Sequence, residues 1–98
     1  MREFTVHVES AEGLATDDRL AKVEETLTAD VVLQARVAVD PTCDAYTATM
    51  RIRSSALIVA SIAALEIFGR ALQEAGHDRD AISRLSIVDS SRAPAVTR

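Results

Sequence analysis

A chain of 98 residues that is 48% hydrophobic and 27% charged has the make-up of one compact domain, which excludes disorder and fibrous repeats and allows roughly 60–70% of the unfolded surface to be buried. The net charge of −4 repels phosphate backbones and anionic lipid surfaces, so no nucleic-acid or membrane partner is expected. A single cysteine, Cys43, excludes an intrachain disulfide framework, and MREFTVHVES carries no apolar leader, so the expected location is cytoplasmic.

With two Phe, one Tyr and no Trp, the core has to be built mainly from Val, Ile, Leu and Ala. Residues 3–9, EFTVHVE, send Phe4, Val6 and Val8 to one side and Glu3, Thr5, His7 and Glu9 to the other, which predicts a half-buried strand. After the loop SAEGLAT, the acidic Asp17 and Asp18 suit a helix start, and Leu20, Val23 and Leu27 follow at spacings of three and four. Alternation returns over 31–39, where Leu33, Ala35, Val37 and Val39 oppose Gln34, Arg36 and Ala38, predicting a second strand. The segment DPTCDA reverses the chain, because Pro41 presets its own φ and Asp40 and Asp44 bond nearby amides. Tyr46, Ala48, Met50 and Ile52 then alternate with Thr47, Thr49, Arg51 and Arg53 in a third strand, paired with the second as a hairpin.

Ser54 or Ser55 is placed to cap a long second helix that Gly76 closes in a left-handed conformation. After HDRDA, the run ISRLSIV predicts a fourth strand with Leu85 and Ile87 on the Phe4 face. The domain is expected to span residues 1–90, with 91–98 as a flexible tail.

The order β-α-β-β-α-β resembles the ferredoxin-like superfold, an α+β sandwich with a four-stranded antiparallel sheet and both helices on one face. Gly13-Leu14 in the first strand-to-helix loop is similar to the Gly-Leu pair of ACT domains. Those are ferredoxin-like regulatory modules that bind amino acids, often at dimer interfaces, so this resemblance implies a small-molecule-binding regulatory domain as one alternative. Ferredoxin-like metal carriers place CxxC in that loop, and SAEGLAT has none.

No catalytic, cofactor-binding or metal-binding residue is expected. Cys43 sits in a turn remote in sequence from His7 and His77, no ligand pair has i,i+4 or CxxC spacing, and HDRD at 77–80 reads as a solvated turn. Tyr46 supplies the sole polar tip among the inward strand positions, although a small enzyme with an intersubunit pocket stays open as a second alternative. An RNA-binding sheet of this fold stacks bases on exposed aromatics, whereas the outward positions here include Thr5, His7, Thr47, Thr49, Arg51 and Arg53. His7, Arg36, Arg51, Arg53 and Arg84 form a candidate face for a small anionic ligand or a partner, since guanidinium forks suit carboxylates and phosphates.

The second helix is the most informative segment. At 100° per residue, Leu57, Ile58, Ser61, Ile62, Leu65, Phe68, Gly69 and Leu72 share an arc expected to pack on the sheet. The opposite arc, Ala56, Val59, Ala60, Ala63, Ile67 and Ala71, is interrupted only by Glu66, Arg70 and Glu74, so it is apolar where a surface helix should be polar. Val59, Ala63 and Ile67, spaced four and four, form a candidate interface ridge for a homo-oligomer or another protein partner. The dense apolar run over 56–68 is too short for the ~20 residues of a membrane span. The expected function is a small non-catalytic protein-interaction or self-associating domain without a cofactor.

Overall fold

The computed structural model describes residues 2–90; the expected C-terminal tail, 91–98, lies outside the described residues. The elements are β1 (Arg2–Ser10), α1 (Asp17–Thr28), β2 (Arg36–Asp40), β3 (Ala45–Ser54), α2 (Leu57–Glu74) and β4 (Ile82–Asp89). Their sheet order is β2-β3-β1-β4 with every neighbouring pair antiparallel. This is the α+β, ferredoxin-like layout that the element order predicts.

The period-two pattern of β1 creates the inner face. Phe4, Val6 and Val8 are fully buried and stand opposite Ile52, Met50 and Ala48 of β3. On the other side of β1, Val8 faces Leu85 and Val6 faces Ile87. Those two β4 residues are only partly buried against the core, because β4 is an outer strand. Val23 and Leu27 of α1 and Phe68 and Leu72 of α2 close the core from one side of the sheet. Each fully buried large side chain contributes roughly 1.5–3 kcal/mol.

The second strand is shorter than its alternation predicts. Val31–Leu33 forms a 3₁₀ turn whose first free amide, Val32 N–H, donates to the Asp30 carboxylate at 3.0 Å, and Gln34 turns left-handed at φ 49°. Asp30 thus offers the backbone a local bond that competes with strand pairing, and the pleat starts only at Arg36. Val31 and Val32 are left 80% and 70% exposed.

The face of α2 also differs from expectation. Ala60, Ala64, Phe68, Ala71 and Leu72 point into the core, whereas Leu57, Ile58, Ile62 and Leu65 are exposed. The small alanines let the N-terminal half of the helix approach a sheet layer filled by Phe4 and Met50. Gly69, expected to face the sheet, is buried instead beneath the backbone of Arg79, whose carbonyl oxygen would lie 2.8 Å from an added Cβ.

The helix ends are set by different means. Ala56, not a serine, occupies the N-cap position of α2, while Ser54 Oγ accepts from Ala56 N–H at 3.4 Å just outside the helix. At the other end Gly76 adopts φ +90°, its N–H donates to the Gln73 carbonyl at 3.0 Å, and His77 N–H donates to the Leu72 carbonyl at 2.9 Å. This pair of bonds is a Schellman motif, as the glycine predicts.

Candidate interaction surfaces

The most prominent surface is the uncharged first half of α2. Leu57, Ile58, Val59, Ile62 and Leu65 are 47%, 67%, 50%, 52% and 41% exposed, an apolar cluster of the kind that marks contact sites rather than scattered surface residues. Ile58, Ile62 and Leu65, at spacings of four and three, share one flank. Leu65 and Glu66 border a shallow depression with Ile82, Arg79 and Asp80, so the Leu65 end of that flank lies beside the start of β4.

The ridge read from the sequence is divided by the fold. Val59 is half exposed, but Ala63 and Ile67 are partly buried and packed against the core. Ile67 lines a depression shared with Thr26, Asp30 and Leu33 on the α1 side of the helix. The exposed apolar surface therefore extends from Val59 toward β4, through Ile58, Ile62 and Leu65. The usable signal was the placement of small residues: Ala60, Ala64 and Ala71 lie with Phe68 on one stripe, and a stripe of alanines suits close helix packing.

The open face of the sheet does not gather its five candidate cations into one site. Arg36 stands opposite Thr49, Arg51 opposite Thr5, Arg53 opposite Glu3 and Arg84 opposite Glu9. His7 accepts or donates at 3.2 Å between Nδ1 and Thr49 Oγ1, with Nε2 3.5 Å from the Glu9 carboxylate. Glu9 and Glu3 thus temper the β1 and β4 side, while Arg36 and Arg51 share a shallow depression with Thr5, Gln34 and Thr49. Among the described residues neither Arg36 nor Arg51 has a carboxylate at ion-pair distance.

The end of the sheet near the β2-β3 turn holds a polar arrangement that the sequence did not reveal. Tyr46 is fully buried, and its hydroxyl lies 3.0 Å from His77 Nε2 and 3.4 Å from the donating Thr16 N–H. Desolvation, followed by the charge of Arg19, holds His77 below the ordinary histidine value. Cys43 lies in the neighbouring turn, where its carbonyl accepts Gly13 N–H at 2.8 Å. Desolvation, the Asp40 carboxylate and a hydrogen bond to it push the Cys43 thiol up, which disfavours the thiolate needed by a nucleophile. His77 is engaged with Tyr46 and His7 with Thr49 and Glu9, so neither histidine serves that thiol as a base.

In the 77–80 turn, Asp78 accepts Asp80 N–H at 2.9 Å and both aspartates are exposed. Among the described residues, no three His, Cys, Asp or Glu side chains converge on a point that could hold a metal ion. No helix among them is long and apolar enough to cross a membrane.

Comparison of the chain with protein-family models finds no match, and comparisons with curated proteins and with solved structures likewise find no significant match. The ferredoxin-like layout rests on the strand order itself, and a fold of this kind hosts many functions. The function has to be argued from the surfaces.

Proposed function

We propose that this domain is a protein-interaction module that self-associates through the exposed apolar half of α2. One observation carries the reading: five large aliphatic side chains between Leu57 and Leu65 are each 41–67% exposed, with no charged residue among the nine positions of that segment. Solvated surface helices distribute charge along their outer face, and leaving such a patch in water opposes solubility. Burying it against protein removes that penalty.

Introducing charge at the centre of the patch tests the proposal. Ile62→Glu, measured by sedimentation velocity over a wide concentration range beside the unaltered chain, is expected to remain folded and shift toward monomer. An unchanged mass for the folded variant would remove α2 from the interface.

A second reading is favoured by Arg36 and Arg51, which share a depression with two threonines and, among the described residues, have no carboxylate at ion-pair distance, although Glu3 shares an adjoining depression with Arg51. A small di- or tricarboxylate or inorganic phosphate suits such donors. Citrate and phosphate titrations followed by melting temperature check it, since a ligand that binds only the folded state must raise the midpoint. Equal effects on the native chain and on Arg36→Gln/Arg51→Gln would reduce this to a bulk salt effect.

A further inference from the structure

We propose that two copies join through the free edges of β4, which pair antiparallel about a two-fold axis at Ser86 and merge two four-stranded sheets into one, with the two α2 flanks side by side above the seam. This inference rests on the self-association reading and specifies its geometry.

The free edge is the first observation. β4 pairs only with β1, and its first amide, Ile82 N–H, donates to the Asp80 carbonyl at 2.8 Å; over Ser83–Val88 one side of the backbone has no strand beside it among the described residues. Outer strands of soluble proteins are usually shielded by lysine, proline, brevity or inward charge. β2, the opposite edge, is protected by being only five residues long. Within β4 there is no lysine or proline; its helix-facing positions are Ile82, Leu85, Ile87 and, at the last residue, Asp89, the one inward charge, ion-paired with Arg2 at 3.2 Å, and its register shift lies at the Ile82 end. These two features stand at the ends of the strand and leave Arg84–Val88 without such a shield.

The second observation is independent of backbone pairing. Leu65 stands beside Ile82 on the β4 side of α2, helical spacing puts Ile58 two turns back on the same flank with Ile62 next to it, and the three are 41%, 67% and 52% exposed. A strand from an unrelated protein would satisfy the edge but leave this flank in water. A second copy arriving by a two-fold brings its own flank to the same seam. Each copy thus covers what the other exposes, as a self-complementary interface requires. The flank adds roughly a few hundred Å² of apolar surface per copy to the strand edge, bringing the contact toward the ~800 Å² per partner of a specific interface.

Side-chain pairing selects the register. With Ser86 facing Ser86 of the second copy, Leu85 faces Ile87, Arg84 faces Val88 and Ser83 faces Asp89, so apolar meets apolar on the helix side and no like charges are opposed. Centring on Ile87 would set Leu85 against the Asp89 carboxylate, and centring on Leu85 would set Ile87 against Ser83. Both forfeit the central apolar pairing.

Crosslinking tests that register directly. Facing residues in antiparallel strands have Cα atoms ~4.5–5.5 Å apart, within the range a disulfide spans. In a Cys43→Ser background, Ser86→Cys is expected to give a disulfide-linked dimer on mild oxidation, while Val31→Cys, 80% exposed away from β4, stays monomeric under the same conditions. Ser86→Arg, which places like charges opposite one another at the axis on an exposed position, is expected to weaken the dimer at least tenfold in sedimentation. If the unaltered chain is dimeric but the Ser86→Cys chain does not crosslink and Ser86→Arg leaves the mass unchanged, edge pairing is wrong while self-association stands. A chain that is monomeric throughout the concentration range, whether because residues 91–98 or a different protein cover this face, overturns both.

Discussion

The phenol oxygen of Tyr46 and Nε2 of His77 meet at 3.0 Å, with the two rings 5.4 Å apart and tilted by 58°. The same oxygen accepts Thr16 N–H at 3.4 Å; a neutral His77 with its proton on Nδ1 accepts the phenol proton at Nε2, and the other tautomer donates from Nε2 to the phenol oxygen. Three parts of the fold are thereby tied together: the start of β3, the entry to α1 and the exit from α2.

That pairing makes stability sensitive to pH. Desolvation, followed by the charge of Arg19 from α1, lowers the His77 pKa, and Tyr46 packs against it from β3; Asp78, Arg79 and Asp80 follow it in its own loop. Because the folded value lies below the unfolded ~6.5, the unfolded chain binds more protons in the interval, so this contribution is complete above ~6.5 and is lost as pH falls toward the folded value. The melting temperature is expected to fall as pH drops from 7.5 to 5.5, and His77→Gln to flatten that part of the profile. A native melting temperature that rises over this interval would contradict the assignment.

Tyr46→Phe retains the buried ring but strips both hydrogen bonds from its tip. Partly exposed His77 can turn to water, whereas Thr16 N–H loses its partner. A loss of about 1 kcal/mol in urea denaturation is expected, the net worth of an ordinary intramolecular hydrogen bond. No measurable loss would mean that the 3.4 Å contact contributes little.

Gly69→Ala is expected to reverse the usual helix rule. Glycine to alanine inside a helix normally stabilises by about 0.5–1 kcal/mol, but here the new methyl would sit 2.8 Å from the Arg79 carbonyl oxygen, a backbone atom. Displacing that loop should cost about 1–3 kcal/mol net. A gain in thermal stability would show that the 77–81 segment yields without penalty.

The inverted face of α2 gives a paired test in dilute solution. Ala64→Leu, at a fully buried position, should destabilise by about 1–3 kcal/mol through overpacking, while Ile58→Gln, 67% exposed, should stay within about 0.5 kcal/mol. The opposite ranking is what a bulky inward face would produce, and denaturant midpoints of the two variants distinguish the cases.

Strand existence was legible because alternation is local: Phe4, Val6 and Val8 face one way whatever lies above them, and all three are fully buried. Gly76 was legible for a similar reason, since few other residues accept its positive φ. The start of β2 was misread because Asp30 and Gln34 redirect the backbone through one side-chain bond and one left-handed residue, neither of which disturbs the hydrophobic pattern. The candidate site was legible only in outline. An apolar excess in α2 was evident, but its division between Val59, Ala63 and Ile67 and the flank of Ile58, Ile62 and Leu65 was not.

The sequence by itself determined the element order, the inner faces of the strands, the left-handed cap at Gly76 and the presence of more apolar surface on α2 than one core consumes. Those properties follow from periodicity and backbone preference, which act over a few residues. Only the tertiary structure decided which face of α2 is buried, because that depends on the space left above the sheet after Phe4 and Met50 have filled it. Ala60 and Ala64 fit that space, so Ile58 and Ile62 were turned outward beside β4. The same docking brought His77 to Tyr46 across 31 positions of chain, a contact that no local pattern encodes.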